Sequence, residues 1–226
     1  MNKTLLLICF LVYTSSIQAQ QTKSGNKSIP KVEDSTWVFK QLKEYPYPYD
    51  TLLSNGYYLK HEVFKDPEGP QYLQHLVLWK DDLLIKEFPS SSFGLIYKNI
   101  GYVSADFEKA FVMTYSYGSG NPHRIELVDK ASGQVVVTGT WVDADESEEV
   151  LLYIENEFET DQQLVLLDIR RNHRLSISDF DNTACAKTAV GGLRSCVKID
   201  TVNNTSIVVA VRDKNEKLSR TYLRKQ

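Results

Sequence analysis

The chain has 226 residues, with 26 basic against 29 acidic side chains and 42% hydrophobic residues. That size suits one domain able to bury roughly 70% of its unfolded surface. The slightly acidic balance argues against nucleic acid and anionic membrane surfaces as partners, and no stretch beyond the first twenty residues has the run of about 20 apolar residues that a membrane span needs.

The chain opens with Lys3, an apolar core over Leu5–Val12 and the small residues Ser15, Ser16 and Ala19. This is the layout of a secretory leader over residues 1–19, cleaved after Ala19, and it predicts a secreted or periplasmic protein. Residues 20–35 are polar, with Gly25 and Pro30 and no apolar period, and read as a flexible lead-in. Residues 36–226 read as a single β-repeat domain. Within it, Tyr45-Pro46-Tyr47-Pro48-Tyr49 must run extended, because each Pro fixes φ and withholds a backbone donor. The rings of Tyr45, Tyr47 and Tyr49 suit stacking on a sugar or gripping a peptide, or packing across the open end of a β-domain.

Strands are expected over Tyr57–Phe64, Leu73–Trp79 and Leu83–Phe88, separated by the Pro-Gly loop Asp66–Pro70 and a tight turn at Asp81-Asp82. The run Tyr102–Ser178 then reads as one β-unit written twice. Slid by 39 positions without a gap, Tyr102–Gly139 lies over Trp141–Ser178, Asp106 meets Asp145, Asp129 meets Asp168, and Phe111-Val112-Met113 covers Val150-Leu151-Leu152. A period of this size marks stacked units, each needing a neighbour to bury its apolar face.

Val103-Ser104-Ala105-Asp106, Phe111–Thr114, Ile125–Asp129 and Gly133 before Val135–Val137 make up the first copy. The second keeps Asp143-Ala144-Asp145, Val150–Ile154 and Leu164–Asp168, with Asn172 in place of the Gly. This pattern, covering residues 102–178, resembles β-propeller blades of the broad WD40 and TolB-type kind, without their Trp-Asp signature. The resemblance implies an all-β domain of antiparallel meander repeats, a small or incomplete propeller-like structure. A β-sandwich is the alternative the same alternation allows. A last unit is expected over Val197–Asp200, Ile207–Val211 and Arg220–Arg224, and no segment shows a sustained helical period.

Loss of the leader removes Cys9 and leaves Cys185 and Cys196, a pair expected to form a disulfide in an oxidising compartment. Their even spacing about Val190-Gly191 predicts a β-hairpin with Ala189–Gly192 at its tip and the two cysteines facing each other across it.

The densest charge lies in Asp143–Asp161, and no Lys or Arg occurs between Lys130 and Arg170. Asp143, Asp145 and Ser147 have the alternate-position spacing that opens a calcium loop, but the later EF-hand positions are absent, so a solvated turn is the simpler reading. His61, His75, His123 and His173 are scattered, and no hydrolase elbow or phosphate-binding loop occurs. The sequence therefore names no catalytic, metal or cofactor-binding residue. It points to a non-catalytic binding protein for another protein or a glycan. The alternatives are a carboxylate-based, glycan-active hydrolase and a calcium-dependent adhesion module.

Overall fold

The structure, a computed structural model, describes residues 50–93, 100–116, 118, 123–212 and 217–225. It is an antiparallel all-β domain built from three sheets. The first comprises β1 (Thr51–Leu52), β2 (Tyr57–Lys65), β3 (Tyr72–Lys80), β4 (Leu83–Glu87) and β5 (Ser91–Ser92). The second is a meander of seven strands: β6 (Tyr102–Asp106), β7 (Ala110–Tyr115), β8 (Arg124–Asp129), β9 (Val135–Asp145), β10 (Val150–Glu155), β11 (Gln163–Asp168) and β12 (His173–Ile177). The third holds β13 (Val197–Val202), β14 (Ser206–Val211) and β15 (Ser219–Leu223). Neither a closed barrel nor any strand pairing between the first and third sheets occurs among the described residues.

The seven-stranded sheet does not lie flat. Ala105, Val112, Ile125 and Leu127 from its first half share one core with Leu151, Tyr153, Val165 and Leu167 from its second. The two copies of the repeat therefore face each other, and β9 belongs to both, pairing with β8 through its start and with β10 through its end. Gly139 sits where β9 turns this corner. A Cβ there would lie 2.6 Å from the Ile154 carbonyl oxygen and 2.7 Å from the Tyr153 ring, a distance no side chain tolerates.

Each unit seals against the next. Phe111, Met113 and Val128 pack on Leu59, Leu76 and Leu78 of the first sheet. At the other end, Val150, Leu152, Ile154, Leu164 and Leu166 pack on Val197, Ile207, Val209 and Val211 of the third. Strands β10 and β11 are covered on both faces, which is why they read as unbroken apolar runs; β14, covered on one, alternates. One bulge recurs in the opening strand of each of the last three units, leaving Ser104, Val142 and Asp200 unpaired in the ladder.

These faces correct the gapless alignment. Phe111 and Met113 look back toward the preceding unit, and so do Leu151 and Tyr153, whereas Val150 and Leu152 look forward. The structural partner of Phe111-Val112-Met113 is thus Leu151-Leu152-Tyr153, one residue beyond the expected match. The cause is the turn before it: Phe107-Glu108-Lys109 in the first copy becomes Glu146-Ser147-Glu148-Glu149 in the second, with Glu149 in the left-handed region at φ 57°. One added residue moves every side chain to the opposite face. The offset of 39 returns at Asp129 and Asp168, because the following loop is one residue shorter. Gly133 and Asn172 adopt φ of 67° and 48°, the left-handed turn both residues tolerate.

The cysteine segment also departs from expectation. Instead of a β-hairpin it forms two short helices, α1 (Ala184–Thr188) and α2 (Leu193–Cys196). Ala184, Ala186 and Lys187 favour helix, and the Thr183 hydroxyl caps α1 by accepting the Ala186 amide at 3.2 Å. Gly192, at φ 54°, then turns the chain into α2. Cys185 and Cys196 are joined in a disulfide between the two helices, with Cα atoms 6.4 Å apart.

Candidate functional site

Two walls built by unrelated means flank an open cavity of about 380 Å³. One wall is the loop from β10 to β11. Asn156 and Phe158 both take left-handed φ, 51° and 74°. The loop is pinned by Asn156 Nδ2 donating to Asp161 at 2.7 Å and by the Phe158 amide donating to the Gln162 side chain at 3.0 Å. This geometry turns Phe158 outward, 75% exposed, and leaves the Glu157 side chain only 8% exposed. The other wall is the stapled helix pair, which contributes Ala186, Ala189, Val190, Leu193 and Arg194. Val190, at the tip between the helices, is fully exposed.

The polar groups of the cavity are few. Glu157 Oε1 accepts from Arg194 Nε at 2.9 Å. Its other oxygen, Oε2, is shielded from solvent and meets no hydrogen-bond donor among the described residues. Asp181 stands at the rim, where burial and the neighbouring Asp179 carboxylate push its carboxyl above the ordinary value. The cavity thus carries two carboxylates against one guanidinium, over a floor of Ile154 and Leu193. Its volume lies within the range of small-ligand sites.

No family model, no curated protein and no solved structure matches this chain.

The calcium candidates singled out from sequence lie elsewhere. Asp143 Oδ2 accepts the Ile199 amide at 3.0 Å, tying β9 to β13. Asp145 Oδ1 accepts the Ser147 hydroxyl at 2.7 Å and the Glu148 amide at 3.0 Å, closing the turn between β9 and β10. Among the described residues, no group of three or more His, Cys, Asp or Glu side chains is arranged to hold a metal ion. Cys185 and Cys196 brace the cavity's second wall. Tyr45, Tyr47 and Tyr49 fall outside the described residues.

The acidic run is not simply solvated. Glu148 pairs with Arg170 and Arg224, Glu149 with Arg170, Glu155 with Arg174 and Glu157 with Arg194. The run lacks local bases because its bases come from later in the chain. Residue type and spacing alone do not set Glu157 and Phe158 apart within this stretch. The available signal was Asn156, a residue that tolerates left-handed turns, next to an aromatic residue in an otherwise polar loop.

Proposed function

We propose that the protein is an exported, non-catalytic binding module of blade-like β-repeats, and that it contacts its partner through the cavity between the β10–β11 loop and the stapled helices. The cavity carries this reading: it pairs a buried carboxylate with two outward apolar residues, Phe158 and Val190, one from each wall. The leader-like opening of the sequence and the Cys185–Cys196 disulfide support export. No helix among the described residues is long and apolar enough to cross a membrane. The face-to-face seams and the recurring bulge support the comparison of these units with propeller blades.

The test is retention of envelope partners on the immobilised chain. Phe158→Asp and Val190→Asp should lose what the parent captures, whereas Leu223→Asp, on an exposed position of β15, should keep it. Equal capture by all three variants refutes the assignment of this face.

A second reading rests on Asp181, which lines the same cavity as Glu157 and whose carboxyl, raised by burial and by Asp179, suits a general acid. Here the chain is a hydrolase. It predicts turnover of a glycan or peptide library that Asp181→Asn abolishes.

A further inference from the structure

Among the described residues, the most deeply buried charged groups are saturated. Lys130, 1% exposed, is within 2.6 Å of Asp106, the Phe107 carbonyl and the Ser54 hydroxyl. Asp168, 2% exposed, receives two bonds from Arg224 and two from Arg171. Glu157 departs from this rule, since one of its two oxygens is met and the other is not. A carboxylate oxygen withdrawn from water without a donor carries its full desolvation cost. Glu157 itself lines a cavity far larger than a single water requires, with its Oε2 lying behind the surface that solvent reaches.

The surroundings define what would fill it. Two carboxylates against one guanidinium favour a cation. The approach runs between Phe158 and Val190 and over Ile154 and Leu193, apolar surfaces that match a hydrocarbon stem. The exposed Phe158 ring can also face a cation. We infer that the cavity receives a basic side chain, an ammonium or guanidinium on an aliphatic stem, projecting from a partner protein, with the Glu157 carboxylate as its acceptor. This rests on the binding reading above and names the chemistry of that contact. A neutral sugar would leave the excess negative charge unanswered.

The experiment titrates the isotope-labelled full chain with four small amides while following the backbone amides of Phe158, Val190 and Gly191 by NMR. Two probes are cationic, the methylamides of acetyl-lysine and acetyl-arginine. Two are neutral counterparts, those of acetyl-norleucine and acetyl-citrulline. The cationic pair should bind about tenfold or more tightly than the neutral pair, and Glu157→Gln should erase that margin. Asp181→Asn, an exposed rim position, should narrow it and serves if Glu157→Gln does not fold. Equal affinity of cationic and neutral probes overturns the inference while leaving the cavity a binding face. A margin that survives Glu157→Gln also overturns it. If no probe moves these amides and the Phe158→Asp and Val190→Asp variants still capture partners, the inference and the binding reading fall together.

Discussion

The seams at either end of the seven-stranded sheet and the cavity beside its last strands handle buried charge in opposite ways. At the first seam, Lys130, just after β8, reaches Ser54 in the turn between β1 and β2, whose own amide donates to Asp106 at 2.6 Å. At the last seam, Arg224 donates through Nε and Nη2 to Asp168 at 2.6 and 3.1 Å. Through Nη1 it also reaches Glu148 Oε2 at 2.7 Å and the Asn203 carbonyl at 3.0 Å. Each carboxylate oxygen named at these seams lies against a donor or a cation, so these charges fix one unit on the next. Glu157 is buried to a similar degree but only half met. A saturated ion holds the fold, whereas an unsaturated one leaves interaction energy for something else. Sequence composition does not distinguish the two, because Glu148 at the last seam and Glu157 at the cavity come from the same acidic stretch.

The sharpest way to break the comparison is Arg224→Met. It strands Asp168 and Glu148 at the last seam and should cost about 3–5 kcal/mol in urea unfolding. Replacing Asp168 by Leu in the same chain should restore part of that loss, since the most buried of the stranded carboxylates is then gone. Next is Leu151→Ala, which empties space between the two copies and should cost about 3 kcal/mol. The disulfide follows: replacing Cys185 and Cys196 by Ser should cost about 2–3 kcal/mol. Probe binding should fall with it, because the cavity's second wall loses its brace.

The acid limb gives a smaller effect. Burial alone would raise the Asp168 carboxyl, but bonds from Arg224 and the Arg171 amide outweigh it and hold the group below its ordinary value of 3.8. A depressed carboxyl contributes stability above its unfolded pKa and loses it as pH falls through the folded value. Urea midpoints should therefore drop on acidification below about pH 4, and Asp168→Asn should flatten that drop. The smallest effect belongs to the cavity's lip: Phe158→Ser should leave stability within about 0.5 kcal/mol of the parent, while weakening probe binding. If Phe158→Ser unfolds the protein, the lip is structural and the contrast with the seams dissolves.

Much of this architecture was legible because the units are stacked. A strand covered on both faces must be apolar at every position, and Val150–Ile154 and Leu164–Leu167 show that without ambiguity. The same property hid the one-residue slip. When every position is apolar, an alignment offset by one looks as good as the true one, and only the four-residue turn ending at Glu149 decides which face each side chain takes. The cysteine segment misled for a related reason: symmetric spacing about Val190-Gly191 fits a hairpin, but Thr183 as a cap and the helix-favouring residues after it prevail. The cavity was least legible. Its walls come from segments some thirty residues apart, and the outward turn of Phe158 depends on a left-handed backbone that a Phe does not advertise.

One further consequence follows from β9. Because a single uninterrupted ribbon, Val135–Asp145, supplies the closing strand of one copy and the opening strand of the other, no linker between the copies exists for a protease to cut. Severing the duplicated halves would mean tearing a ladder apart, so the pair should withstand tension and digestion as one body and give way in a single event.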